Sequence, residues 1–366
     1  MSRLKNFNLL AIHFHKLTVK DIRRETQDCV SIAFEIPKNI EKDFHFIHGQ
    51  NVTIRILVDG QEVRRSYSIC SSPLEKELRV AVKKVDNGQF STFANEKLKK
   101  GDTLEVLPPT GAFHTEIRSS QKKNYVFFAA GSGITPVISI IKTILGTENK
   151  STVTLFFGNR NMASVIFKQQ LEALKDKYLQ RLSLFYIFSR EHTESDFNNG
   201  RIDVQKLDLA SRMVNCDTVD NFFICGPEPL IFTVKDFLGG WGIDPTKIHF
   251  ELFTTPTKEH IKIYEPETAS LQDGSEITVR IDGRSFDFNL DYNGKTILDA
   301  GLAEGADLPF ACKGGVCCTC KAKLIEGEVE MEANYGLEKS EIKAGFILTC
   351  QSHPRTEKVI VDYDEA

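Results

Sequence analysis

No stretch of this 366-residue sequence approaches the roughly 18 consecutive apolar residues that a membrane-crossing helix needs. The opening segment, MSRLKNFNLLAIHFHKLTV, offers only the short run Asn8–Ile12, broken at once by Asn8, with no small-residue cleavage site behind it. A secretory signal is therefore not expected, and the reading is a cytoplasmic chain whose thiols stay reduced. Internal repeats and low-complexity tracts are missing too, which excludes fibrous and solenoid classes. Charge of neither sign dominates: 46 Lys and Arg stand against 50 Asp and Glu, so neither a nucleic acid nor a membrane surface is expected as partner. There is no Glu-x-x-His pair of the kind that holds a di-iron centre, and no substrate pocket can be identified. What remains is an ordinary globular composition, 41% hydrophobic and 26% charged, long enough for two or three cored domains.

The texture changes twice along the chain. From Phe14 to about Ile117, short alternating strands such as VSIAFEI, NVTIRILV, RRSYSIC and LRVAVKKV are separated by Gly, Asn and Pro turns, predicting a small antiparallel β-barrel over residues 1–120. From Asn124 to about Glu251, buried apolar strands alternate with helical patterns (YVFFAA then PVISIIKTIL, VTLFFG then SVIFKQQLEALKDKY), predicting an α/β doubly wound parallel sheet over 121–253. Residues 254–275 are polar, hold two prolines and lack a period, which reads as a linker. A last domain, 276–366, opens with a hairpin around Asp282-Gly283 and closes with the strand KVIVDYD.

That last domain carries FACKGGVCCTCKAK, residues 310–323, with four of the nine cysteines of the chain. Cys312, Cys317 and Cys320 are spaced C-x4-C-x2-C, and Cys350 follows after 29 further residues. Four thiolates at this spacing are the plant-type pattern for a [2Fe-2S] cluster. Structural zinc usually presents two paired knuckles, and only one C-x2-C is present. Gly314 and Gly315 let the loop wrap closely and aim amides at the sulfurs, whereas Cys318 reads as a small packed thiol.

PFACKGGVCCTCKAKLIEGEVEMEANYGL followed by LTCQS resembles the ferredoxin domain of phenylacetyl-CoA epoxidase reductase subunits, and the rest of the chain resembles that family in order and length. Within the wider ferredoxin-NADP reductase superfamily a flavin barrel and a nicotinamide-binding α/β domain precede such a domain, here an α+β β-grasp. The resemblance implies that in RRSYSIC Arg65 neutralises the FAD pyrophosphate, Tyr67 stacks on the flavin and Ser68 hydrogen-bonds its N5; taken alone, R-x-Y-S is equally a strand with a buried tyrosine. Val82 and Lys83, then Gly88, Gln89, Phe90 and Ser91 in GQFSTF, fall where the superfamily places its second flavin segment, with Gly111 in the turn after the barrel. In FFAAGSGITPV a strand runs into Gly131, Gly133, Thr135 and Pro136, a phosphate-binding turn at a helix start. Its pairing with Cys225, Gly226 and Pro227 of ICGPEPL implies a nicotinamide site, Cys225 either bordering the hydride path or being a buried strand-end thiol. HFELF places Glu251 and Phe253 near the flavin. Ser68, Cys225 and Glu251 are thus the catalytic candidates.

The strand LFYIFSRE ends in Ser189-Arg190, where NADPH-preferring members bind the 2'-phosphate; Arg160 and Arg201 add charge, while Glu191 leaves NADH open. Together these imply an NAD(P)H:acceptor oxidoreductase in which electrons run from NADPH to FAD to the cluster and on to an oxygenase component, most naturally a di-iron phenylacetyl-CoA epoxidase in phenylacetate catabolism. The alternative is a reductase for another acceptor: a Rieske or other di-iron oxygenase, a desaturase or a hybrid-cluster protein. Residues 271–366 hold 18 acidic against 10 basic residues. Glu326, Glu328, Glu330 and Glu332 alternate as if along one strand face, either a solvated edge or a steering surface for a basic partner.

Overall fold

The computed structural model describes residues 13–58, 60–255 and 274–365. Of the expected linker, positions 256–273 lie outside the described residues. Residues 16–253 form one compact unit; residues 274–365, with 13–15 and 254–255, form a second.

The first unit begins with six antiparallel strands, β1 (His15–Thr26), β2 (Cys29–Glu35), β3 (Asn51–Val58), β4 (Gln61–Ser68), β5 (Leu78–Lys83) and β6 (Thr103–Val106). Their order is β4-β3-β6-β1-β2-β5, and an antiparallel bridge between Ile69 and Val80 joins the two outer strands, closing the sheet into a barrel. Closure follows from alternation: Val30, Ile32, Val52, Ile54, Val80 and Val82 all point inward and are almost wholly buried. Helix α1 (Gln89–Glu96) seals one end with Phe90 and Ala94, spaced by one helical turn. Asn95 fixes it there, donating from Nδ2 to the Val82 carbonyl at 3.0 Å.

A five-stranded parallel sheet follows: β7 (Asn124–Ala130), α2 (Ile134–Thr147), β8 (Thr152–Asn159), α3 (Lys168–Lys177), β9 (Leu182–Phe188), α4 (Val204–Met213), β10 (Asn221–Cys225), α5 (Glu228–Gly240) and β11 (Ile248–Glu251). Its order, β11-β10-β7-β8-β9, reverses direction beyond β7. The two connections leaving in opposite directions open a crevice at the C-terminal ends of β7 and β10, where ligands of such sheets bind. Barrel and sheet share a core, with Cys29, Cys70, Ala81 and Phe113 packed among Phe127, Ile140 and Phe223. Polar contacts pin the same joint: Ser139 donates to the Ser71 carbonyl at 2.6 Å, and the Ser72 and Thr143 hydroxyls meet at 2.8 Å.

The second unit contains β12 (Ser275–Ile281), β13 (Arg284–Leu290), α6 (Ile297–Ala303), β14 (Lys321–Glu326), β15 (Val329–Met331), α7 (Lys339–Lys343), β16 (Phe346–Leu348), β17 (Ser352–Pro354) and β18 (Lys358–Asp362). The expected hairpin is present: Asp282 and Gly283 both take positive φ, +55° and +67°, matching the right-handed twist of β12 and β13. The main sheet runs β13-β12-β18-β14-β16, with β12 and β18 parallel, and β15 pairs separately with β17.

One expectation is overturned here. Glu326, Glu328, Glu330 and Glu332 do not share a strand face, because β14 ends at Glu326 and β15 belongs to the other sheet. Nor do they form an uncompensated acidic row. Glu326 pairs with Lys358 at 3.1 Å and Glu330 with Arg355 at 2.6 Å, while Glu332 accepts a hydrogen bond from His353 Nε2 at 2.9 Å.

Candidate functional site

The flavin-motif residues gather at one end of the barrel. Strand alternation along β4 leaves Arg65 exposed, Tyr67 half-buried and Ser68 buried. Arg65 is exposed and rests with Nη1 donating to the Arg64 carbonyl at 2.7 Å. The Tyr67 ring packs on Phe90 of α1, centroids 5.2 Å apart, so the two segments expected at the flavin touch each other. Ser91 secures the turn before that helix: its Oγ accepts from Val85 N–H at 3.2 Å and donates to the Gly88 carbonyl at 3.2 Å. Gln89 is exposed beside it. Val82 does not join this group, since its side chain is wholly buried in the barrel core. Lys83, the next residue, points the other way; it lies 3.7 Å from Asp28 and is the nearest side chain to Gly131.

Across from this edge lies the crevice between β7 and β10. A Cβ on Gly133 would overlap the Cys225 carbonyl oxygen, and one on Gly226 would come within 3.1 Å of the Ala130 amide. Only glycine lets the two turns approach like this. Thr135 is buried and donates to the Ser132 carbonyl at 3.0 Å, Pro136 occupies the first turn of α2, where a missing N–H costs nothing, and Pro227 caps α5. Cys225 is fully buried and pairs with Glu251 across the β10–β11 ladder; burial, with Glu251 beside it, holds its thiol well above the usual range, hence neutral. Ser68 Oγ donates to Glu251 Oε2 at 3.0 Å, linking the barrel strand to the sheet edge. Phe253, 41% exposed, follows on the same chain end.

At the far side of the sheet, the ends of β8 and β9 place Arg160, Ser189 and Arg190 together. Ser189 N–H donates to the Asn159 carbonyl at 2.9 Å and Arg190 N–H to the Arg160 carbonyl at 2.8 Å. All three side chains are exposed, as is Arg201. Glu191 is engaged locally, accepting from Met162 N–H at 2.7 Å. Sequence reasoning passed over Asn159, whose Oδ1 is buried with no hydrogen-bond partner among the described residues. It also passed over the histidines behind the crevice. His48 Nε2 donates to the Thr115 carbonyl at 2.9 Å, its ring meets His114 at 6.3 Å, and His249 stacks on Phe223 at 4.6 Å. Burial lowers both His48 and His249 to about 4.

In the second unit, the loop before β14 draws Cys312, Cys317, Cys320 and Cys350 together. Cys312 interacts with Cys317 and Cys350, and Cys350 also with Cys320. Cys312 is half-buried and the others are buried. The neighbouring Cys312 and burial push the Cys317 thiol well up; for Cys350 the lowering influence of Cys312 is outweighed by Cys320 and burial, which raise it. Four such sulfurs cannot all ionise unless cations join them, and iron supplies that charge. Among the described residues no three His, Cys, Asp or Glu side chains close on one point to grip a single ion. A two-iron cluster asks for two thiolates per iron, so the donor set fits it. Amides are already aimed: Gly314 N–H donates to Cys312 Sγ at 3.3 Å, and Gly315 and Thr319 supply backbone hydrogen bonds to Cys350 and Cys317. Gly315 has φ +74°, and a Cβ there would come within 2.7 Å of the Ala333 carbonyl oxygen. Cys318, at φ +57°, is buried in the same hydrophobic cluster as Cys320 and Cys350, its Sγ packed against Gly336, where a Cβ would come within 2.6 Å of it. None of the nine cysteines is in a disulfide.

Comparison with known proteins matches three domain families in this order: the oxidoreductase FAD-binding domain at residues 16–115, the oxidoreductase NAD-binding domain at 127–236 and the 2Fe-2S iron-sulfur cluster binding domain at 279–355. The chain is 44% identical over 355 residues to the E subunit of 1,2-phenylacetyl-CoA epoxidase from Escherichia coli (strain K12), covering 96% of this chain and 98% of that one. It is 34% identical to the ferredoxin reductase component of 3-ketosteroid-9-alpha-monooxygenase of Rhodococcus rhodochrous, over 95% and 96% of the two chains. Among solved structures, phthalate dioxygenase reductase shares the fold with a TM-score of 0.57 at 22% identity, over 95% of this chain and 98% of that one. Among the described residues no helix is long and apolar enough to cross a membrane.

Proposed function

We propose, since this chain belongs to the family of oxygenase reductase components that join FAD-binding, NAD-binding and 2Fe-2S domains, that its donor is NADPH and its acceptor a di-iron phenylacetyl-CoA epoxidase. The observation that carries the acceptor is the 44% identity to the E. coli epoxidase protein, which runs through all three domains. FAD, held by the strand end at residues 65–68 and the turn at residues 88–91, would supply the conversion between a two-electron hydride donor and a one-electron [2Fe-2S] acceptor held by Cys312, Cys317, Cys320 and Cys350.

The residues divide the work by position. Arg65 offers charge to the FAD pyrophosphate, Tyr67 a ring face to the flavin, and the turn Gly88–Ser91 backbone donors beside it. Gly131, Gly133, Thr135 and Pro136 on one side, and Gly226 and Pro227 on the other, form the walls that receive the nicotinamide half. Lys83, closest to Gly131, adds a cation at that turn. Ser68 and Glu251, bonded at 3.0 Å, fix the barrel edge that faces the crevice, and Cys225, wholly buried in the core beneath it, stays a neutral thiol. Arg190, with Ser189 and Arg160, suits the 2'-phosphate, whereas Glu191 already serves the Met162 amide. Cys312, Cys317, Cys320 and Cys350 hold the cluster. The domain boundaries that accompany this reading are 1–120, 121–253 and 276–366, and the location is cytoplasmic.

Reconstitution tests it: the purified chain with a phenylacetyl-CoA epoxidase oxygenase component under NADPH is expected to support steady epoxidation. Turnover with a 3-ketosteroid or other oxygenase component, and none with the epoxidase, overturns the acceptor. Faster turnover with NADH overturns the donor.

A further inference from the structure

Thr349, directly before the cluster ligand Cys350, reaches back to the ligand Cys320. Its hydroxyl donates to the Cys320 carbonyl at 3.0 Å, and its backbone N–H donates to the same oxygen at 3.2 Å. The phenol of Tyr363 lies 2.6 Å from that hydroxyl. Thr349 has one hydroxyl proton and spends it on a carbonyl, which can only accept, so Tyr363 must be the donor to Thr349. Burial raises the phenol well above its ordinary range and keeps that proton in place. Tyr363, Thr349, Cys320 and Cys350 are each 4% exposed or less, so water does not screen the chain of bonds. Tyr363 follows β18, and its own N–H is held by the Arg280 carbonyl at 2.9 Å. The ring is therefore fixed from the main sheet rather than from the ligand loop.

We propose that Tyr363, acting through Thr349, is a positioning residue that sets the reduction potential of the cluster bound by Cys320 and Cys350. The inference rests on the cluster assignment above. A carbonyl oxygen is the negative end of a dipole, and on a ligand residue it opposes the arrival of an electron. Two donors cancel part of that charge, and the Tyr363 hydroxyl polarises the Thr349 hydroxyl to do so more strongly. Reduction adds one electron to the cluster, with no bond made or broken in the relay and no proton leaving Tyr363. Removing the phenol hydroxyl makes the cluster harder to reduce and leaves the flavin unaffected.

The test uses full-length wild type, Tyr363→Phe, Thr349→Val, Thr349→Ser and the Tyr363→Phe/Thr349→Val double variant. Iron and acid-labile sulfide are measured first, then the cluster potential by EPR-monitored titration and the flavin potential by absorbance. Tyr363→Phe is expected to lower the equilibrium constant for cluster reduction at least about threefold, or about 28 mV at 59 mV per tenfold for one electron. Thr349→Val should lower it as much or more, Thr349→Ser should stay near wild type, and the double variant should match Thr349→Val. The flavin potential should not move. An unchanged cluster potential in Tyr363→Phe, or shifts that add in the double variant, overturns the proposal. If Tyr363→Phe fails to fold, the Thr349→Val and Thr349→Ser pair still decides: equal potentials overturn it. Wild type lacking iron and sulfide would instead overturn the cluster assignment, before any variant is compared.

Discussion

Ser68 and Glu251 stand 183 residues apart in the chain, yet the serine hydroxyl donates to the glutamate carboxylate at 3.0 Å. One comes from the last position of a barrel strand and the other from the last position of the outermost parallel strand. The bond therefore reports whether barrel and sheet are seated correctly around the crevice. Ser68→Ala removes the donor, and Glu251→Gln replaces a charged acceptor with a neutral one. A hydrogen bond to a charged group is worth roughly 1.5 to 3 kcal/mol, so each variant should slow flavin reduction by NADPH roughly tenfold to a hundredfold. Stopped-flow absorbance measures it. Wild-type rates in both variants would remove the pair from the reaction.

Arg190→Ala should raise the KM for NADPH more than tenfold and leave that for NADH nearly unchanged. The Arg190 backbone is bonded to that of Arg160 at the strand ends and both side chains are exposed, and a charge-assisted contact to a phosphate dianion is lost only with the phosphorylated nucleotide. Equal effects on both nucleotides would show that Arg190 does not read the 2'-phosphate.

Cys317→Ser should spare NADPH-driven reduction of ferricyanide, which takes electrons at the flavin, and abolish turnover coupled to the oxygenase. Cys318→Ser should do neither, because Cys318 lies outside the four-cysteine spacing and its buried sulfur packs against Gly336. Full coupled turnover by Cys317→Ser would mean that electrons reach the partner without the cluster.

Acid should destabilise the first unit through His48 and His249. Both are held at about 4 by burial, below the ordinary value of 6.5. Between those values the unfolded chain binds more protons than the folded one, so the stabilisation is complete above pH 6.5 and is lost as pH falls toward 4. Each histidine contributes a slope of up to about 1.4 kcal/mol per pH unit there. Chemical denaturation between pH 7.5 and 5 should show this loss, and His48→Asn should flatten it. An unchanged profile in that variant would assign the acid sensitivity elsewhere.

The gathering of the four cysteines was legible because their spacing is local: the 4, 2 and 29-residue gaps survive in any view of the chain, and the loop glycines announce a tight wrap. The crevice was legible for the same reason, since Gly131 and Gly133 follow a strand and open a helix. Relationships between distant segments were not. Nothing at Glu330 states that Arg355, one residue past β17, will reach it, or at Glu326 that Lys358 will, so an acidic alternation that suggests a steering surface proves partly paired. Val82 and Lys83 are neighbours in the same motif, but strand alternation sends one into the core and leaves the other at the site. Tyr363 gave no signal at all: an aromatic residue after a terminal strand looks like packing until its hydroxyl is seen on Thr349.

The missing Cβ at Gly133, with the Cys225 carbonyl in the space it would fill, limits how this enzyme type can be altered. The wall between the two turns is a single layer of backbone, so it can be neither thickened nor decorated without forcing β7 and β10 apart. On the reading proposed above, coenzyme choice is set instead at Arg160, Ser189 and Arg190, which stand exposed at the ends of β8 and β9 with, among the described residues, only the Ser189 hydroxyl tied back, to the Asn159 carbonyl at 3.4 Å. Redesign of the nucleotide preference belongs at those three positions, and a library that includes Gly133 will return misfolded protein there.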